Sequence, residues 1–118
     1  MSDYLRKHNS SGHLTNIYKG MYITTMTHFL DEFGNIPKKM PMEAREMASF
    51  MALVVDSTTR KSPQTLTSTD IRCFQKGCSG MIKTALRPDI EEIHWYCPEC
   101  ENEGVISEWQ KTKWDNRK

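Results

Sequence analysis

All four cysteines of the chain fall within one 28-residue window, spaced Cys73-x4-Cys78 and Cys97-x2-Cys100 with eighteen residues between the pairs. Two cysteines in a tight turn can aim both sulfurs at one ion, and a hairpin between the pairs brings the two turns together. The spacing is in the range of a four-thiolate zinc site. Four thiolates around a d¹⁰ ion make a closed tetrahedral shell with no position left for water, so the site is expected to be structural. Gly77 and Gly80 flank Cys78, where turning backbone must approach a metal closely, and Pro98 stiffens the second turn. We therefore expect Cys73, Cys78, Cys97 and Cys100 to hold one Zn²⁺. The first pair, with four intervening residues, departs from the more usual two.

The pairs stand among strand-like runs. Met81–Leu86, Ile90–Cys97 and Val105–Trp109 are rich in β-branched and aromatic residues, and Arg87-Pro88-Asp89 separates the first two as a hairpin turn. Two knuckles holding a small antiparallel sheet resemble a zinc ribbon over about residues 70–110. Such a unit is too small to hold itself by its own core, so metal removal is expected to unfold it.

The N-terminal half reads as helical. Tyr18, Tyr22, Met26, Phe29 and Phe33 recur at steps of three and four, widened by Met21 and Leu30, with Gly34 and Pro37 beyond. That predicts a helix over 24–33. Residues 17–23 are open to a second reading, because Tyr22-Ile23-Thr24-Thr25 is β-prone and a hairpin could turn near Lys19-Gly20. A second helix is expected from Pro41 to about residue 58. Glu43 and Glu46 lie in its first turns, and Ala44, Met47, Ala48, Met51, Val54 and Val55 form its apolar face. Six of the eight methionines lie between Met21 and Met51. A methionine-rich face can be a plastic partner surface, but filling a helix–helix contact explains it more simply.

The expected fold is thus α+β, with a helical segment of two helices followed by a C-terminal zinc-ribbon-like antiparallel sheet. Residues 1–16 are expected to be a flexible tail with His8 and His13 solvated in it. Residues 17–60 form the helical segment, 61–69 a polar linker and 70–118 the ribbon. Met47–Val55, an uncharged apolar stretch, is far shorter than the ~20 residues a bilayer needs. The N-terminus lacks an apolar secretory region, so the expected compartment is the reducing cytoplasm, where clustered cysteines favour metal over disulfides.

Charge bears on partners. The chain carries 16 basic and 15 acidic residues, for a formal net charge of +1. Residues 71–118 hold eight of each sign, and four thiolates with one Zn²⁺ would bring that half to −2. Trp95, Tyr96, Trp109 and Trp114 could in principle stack bases. Phosphate affinity, however, requires an excess of Lys and Arg. A protein partner is therefore favoured over nucleic acid, and the helices offer a homodimer surface. No phosphate-cradling loop, Gly-x-Ser-x-Gly or His-Glu-x-x-His motif occurs, so the chain reads as a binding module and not an enzyme. The second reading is a small thiol–disulfide redox protein using Cys97-Pro98-Glu99-Cys100. That motif calls for a following helix, whereas Glu-Asn-Glu-Gly and a strand-like run follow here. A mixed cysteine/histidine site using His94 is disfavoured, because strand alternation points His94 away from the face of Cys97.

The combination of Pro41-Met42-Glu43-Ala44 through Phe50 and Val54-Val55, then Trp95-x-Cys97-Pro98-x-Cys100, Gly104-x-Ile106-x-x-Trp109 and Thr112-x-Trp114-Asp115, resembles a family of small, uncharacterised, zinc-ribbon-containing bacterial proteins. The resemblance covers roughly residues 40–115. It implies this architecture and a bacterial cytoplasmic setting, and it carries no activity.

Overall fold

Met42–Arg60 forms a helix of nineteen residues, α1. Its buried side chains, among them Met47, Met51, Val54, Val55 and Thr58, follow the 3.6-residue period that the sequence displays. Pro41 caps its start with extended backbone, and Glu43 sits in the first turn, where the helix dipole favours an acid. The computed structural model describes residues 15–18, 21–62, 66–75, 77–87 and 89–117. The N-terminal tail, with His8 and His13, lies outside them apart from its last two residues.

Six strands form one sheet: β1 (Thr15–Tyr18), β2 (Met21–Thr25), β3 (Leu66–Arg72), β4 (Met81–Arg87), β5 (Glu92–Tyr96) and β6 (Glu103–Ser107), in the order β1-β2-β6-β5-β4-β3. Every neighbouring pair is antiparallel except β2 and β6, which run parallel from Met21↔Glu103 to Thr25↔Ser107. The α+β expectation therefore needs two corrections. The sheet is mixed, not purely antiparallel, and only one α-helix is found among the described residues.

The expected helix over 24–33 is absent. Met21–Thr25 is a strand paired antiparallel with Thr15–Tyr18, and Met26–Phe29 is a single 3₁₀ turn. The physical reason lies in the β-branched run Ile23-Thr24-Thr25, whose side chains suit a pleated surface better than a helical one. Tyr22 and Thr24 point into the core and Ile23 points out. Met26 and Phe29 are then buried by the three-residue period of the turn. A strand followed by a 3₁₀ turn thus mimics one helical stripe, while Phe33, which the stripe would bury, is exposed.

α1 covers one face of the sheet. That face carries Tyr22 and Thr24 from β2, Ile106 from β6, Ile93 and Trp95 from β5, Ile82, Thr84 and Leu86 from β4, and Thr67 from β3, all buried. Gly104 stands between Tyr22 and Trp95 in one cross-strand row. A Cβ there would lie 2.4 Å from the Trp95 indole nitrogen, so the ring occupies the space a side chain would need. Threonines extend the core in polar form: Thr58 Oγ1 on the helix donates to Thr84 Oγ1 on β4 at 2.8 Å.

The C-terminal residues strap the far end of α1. Thr59 Oγ1 donates to the Val55 carbonyl at 2.7 Å and accepts the Asn116 N–H at 2.9 Å. The Asn116 amide donates to the Asp56 carbonyl and carboxylate at 3.1 and 2.8 Å. Trp109 is fully buried, its indole N–H donating to the Glu91 carbonyl at 3.0 Å, with the Arg117 guanidinium 4.3 Å from its ring centre. Trp95 and Trp109 are thus core residues, which removes them from any base-stacking surface. Tyr96 remains exposed.

Candidate metal centre

The two cysteine pairs sit in turns at the same end of the sheet. Cys73 and Cys78 bound the turn between β3 and β4, and Cys97 and Cys100 lie in the turn between β5 and β6. Because β4 and β5 are hydrogen-bonded neighbours, pairing Lys83 with Tyr96, the turns are brought side by side. The four Sγ atoms all lie within 4.8 Å of one another. Cys73 Sγ is 3.5 Å from Cys100 Sγ, and Cys78 Sγ is 3.6 Å from Cys97 Sγ.

These distances discriminate between chemistries. A disulfide requires about 2.05 Å, and all four cysteines are free. Four sulfurs at ~2.3 Å from a central ion stand about 3.8 Å apart along the edges of a tetrahedron. The observed separations match the second geometry. A small, thiophilic ion fits among these sulfurs, and no carboxylate or histidine of the described residues joins the cluster. His94 lies instead on the opposite face of β5, 3.8 Å from Glu92.

The backbone is arranged to receive charge on sulfur. The N–H of Gln75 donates to Cys73 Sγ and that of Gly80 to Cys78 Sγ, each at 3.4 Å. Burial disfavours the Cys97 thiolate, but the N–H groups of Glu99 and Cys100 and the neighbouring thiols outweigh it and pull the Cys97 thiol down to about 7. Burial pushes the Cys73 thiol up strongly, reinforced by the cysteines beside it. Sulfurs this close cannot all ionise by themselves. A bound cation would invert the balance and favour their thiolates.

Around the sulfurs the loops close on themselves. The Cys73 N–H donates to the Gly80 carbonyl at 2.9 Å, and the Cys97 N–H to the Asn102 carbonyl at 2.8 Å. The Asn102 side-chain amide donates to Gln75 Oε1 at 3.0 Å, tying one turn to the other. Gly80 is forced by space, since a Cβ on it would lie 2.6 Å from Cys97 Sγ. Glu101, directly after Cys100, holds φ at 64°, a left-handed conformation in which glycine is more at ease.

The inner side of the centre rests on four aromatic rings. Phe74, next to Cys73, packs on Tyr22 at 5.8 Å and on Phe50 at 5.3 Å, and both of these rings pack on Trp95, at 5.7 and 4.9 Å. β2, α1, β5 and the first turn therefore meet beside the sulfurs. Burial raises the Tyr22 hydroxyl's pKa, and the sulfurs of Cys73 and Cys100 raise it further. The spacing of the cysteines foretold that the four sulfurs would cluster. It held no signal for the Gln75–Asn102 bridge or the Tyr22–Phe50–Phe74 contact, which join residues far apart in the chain.

Comparison of the chain with protein-family models, with curated proteins and with solved structures returns no match. The clustered sulfurs, and not kinship, carry what can be said of the site: four cysteines within metal-binding distance.

Proposed function

We propose that the chain is a non-enzymatic binding module whose C-terminal half is held in shape by one structural Zn²⁺, bound by Cys73, Cys78, Cys97 and Cys100 in the manner of a zinc ribbon. The observation that carries this reading is the convergence of four sulfurs from two turns at tetrahedral spacing. A full set of thiolates leaves no open position for substrate or water, which favours a structural role over a catalytic one. Reduced cysteines of this kind belong to a cytoplasmic setting. The partner in this reading is a protein. The chain's net charge of +1 gives little drive toward phosphate, and two of the tryptophans that could have stacked bases are in the core.

The test is metal analysis of the full chain expressed with zinc, followed by chelation. The expected result is one zinc per chain, thiols that resist alkylation until the metal is removed, and loss of dispersed amide resonances from residues 66–107 on chelation. Structural zinc sites contribute on the order of 10 kcal/mol to folding, comparable to the whole stability of a domain this size. Unchanged resonances after complete metal removal would refute the reading. A metal-free chain that forms a reversible Cys97–Cys100 disulfide would establish the redox alternative.

A further inference from the structure

The strand order leaves the outer edge of β3 without a neighbouring strand among the described residues. β3 carries a bulge between Ser68 and Arg72, where its register with β4 shifts. The bulge bonds within the sheet: Thr69 Oγ1 donates to the Ile82 carbonyl at 2.7 Å and accepts the Ile71 N–H at 3.1 Å. Beyond it, the Cys73 N–H points to β4 and donates to Gly80. In an antiparallel ladder successive residues alternate between the two edges. Arg72 therefore presents its N–H and C=O to the open side.

Along this edge runs a groove of about 960 Å³ between β3 and α1. Its helix side includes Met42 and Leu53, 76% and 56% exposed. Four charged residues line it, Arg45 and Glu46 on α1 and Asp70 and Arg72 on β3, and none of them forms an ion pair among the described residues. The charges on β3 are ordered Asp70-Ile71-Arg72, with Ile71 buried and its two neighbours exposed. An identical strand laid antiparallel against this one, with Ile71 opposite Ile71, sets each Asp70 directly across from an Arg72. No other placement of a second copy pairs both charges at once.

We propose that β3 pairs with β3 of a second copy of this chain, antiparallel about a two-fold axis at Ile71, to make one continuous sheet with both helices on the same face. The interface is isologous, so each favourable charge pair occurs twice. With the axis at Ile71 only Asp70, Ile71 and Arg72 of the two strands lie opposite one another, so strand pairing alone falls far short of the ~800 Å² per partner that a standard interface buries. Met42 and Leu53 of the two helices, flanking the same edge, add the apolar area. The net charge of +1 sets no barrier to self-association. The competing reading is that Asp70 and Arg72 guard an edge against pairing, as charged residues on edge strands often do.

The test is sedimentation velocity on the zinc-loaded full chain from low to high micromolar concentration, with Asp70→Arg, Arg72→Asp and the double exchange Asp70→Arg/Arg72→Asp. The native chain should dimerise. Each single reversal turns both attractive pairs into repulsive ones and should weaken the dimer by about tenfold or more. The double exchange should restore it. Hydrogen exchange of the native chain gives an independent readout that needs no variant: the Arg72 amide should gain protection as concentration rises. A native chain that stays monomeric, a dimer indifferent to the single reversals, or a double exchange that fails to recover would each overturn the proposal. Because metal content is measured on the same samples, a failure here is distinct from a failure of the zinc reading.

Discussion

Replacing Gly80 by alanine tests whether the sulfur positions are fixed by a shared ion. The added Cβ would lie 2.6 Å from Cys97 Sγ and from Glu99 Cγ, and 2.9 Å from Glu99 Cβ. Ordinary contact distances are ~3.5–4.0 Å, so the site is about 1 Å too tight. Glu99 is exposed and can swing away. Cys97 is buried and cannot follow, because its sulfur is held by two backbone N–H groups and by its place in the cluster. Gly80 has an ordinary backbone conformation, so alanine adds crowding without backbone strain. Overpacking of this kind costs about 1–3 kcal/mol. Metal–ligand distances tolerate only ~0.2 Å, so most of that cost should appear in metal binding, as a roughly ten- to hundredfold loss of zinc affinity. Competition against a chromophoric chelator measures it, and the cobalt-substituted chain should show a distorted thiolate spectrum. Gly77→Ala is the control. Nothing lies within 4 Å of its Cβ, but its φ of +84° strains any other residue, so it should lower thermal stability by about 1 kcal/mol without crowding a sulfur. If Gly80→Ala bound zinc as tightly as the native chain and melted at the same temperature, the packing argument would be wrong.

Four further outcomes are expected. Thr58→Val strands the buried Thr84 hydroxyl and should cost about 1–3 kcal/mol in denaturant melts, with Thr58→Val/Thr84→Val recovering much of the loss. Asn116→Ala removes the side-chain amide bonds to Asp56 while keeping the backbone bond to Thr59, and should cost about 1–2 kcal/mol, seen as faster amide exchange in the last turn of α1. Glu101→Gly relieves a left-handed residue beside Cys100, so its melting temperature should equal or exceed the native value; a clear drop would contradict the backbone assignment. Burial works against the Asp115 carboxylate, but bonds from Arg117 and the Lys111 N–H hold its pKa below the ordinary value. A lowered folded pKa stabilises fully above the unfolded value near ~4, and this is lost as pH falls through the folded one. Asp115→Asn should therefore destabilise at neutral pH and make little difference in strong acid.

The parts that were legible in the sequence are those whose signals are local. The clustering of the four cysteines is announced by spacing alone, β4, β5 and β6 stand out by β-branched and aromatic runs, and α1 by its 3.6-residue period. The N-terminal stripe misled because Tyr22, Met26 and Phe29 are all buried at helical spacing, though a strand and a 3₁₀ turn bury them. The β-prone run Tyr22-Ile23-Thr24-Thr25, with Gly20 before it, argued for the strand. β3 was hidden for another reason. Leu66-Thr67-Ser68-Thr69-Asp70 looks polar, yet Thr67 is a core residue, and threonine's methyl group packs while its hydroxyl reads as hydrophilic. The contacts that frame the cysteine cluster on its inner side, Tyr22 with Phe74 and Phe50 with Trp95, depend on tertiary placement and leave no trace in spacing.

The parallel union of β2 with β6 has a consequence for how the chain comes into being. It joins Tyr22 to Gly104 and Thr24 to Ile106, residues some eighty positions apart. On a ribosome β1 and β2 emerge some eighty residues before β6, the strand with which β2 pairs in parallel. Long-range pairings of this sort slow folding and leave early strands exposed to stray association. Strands made early in this stretch of chain are thus seated late.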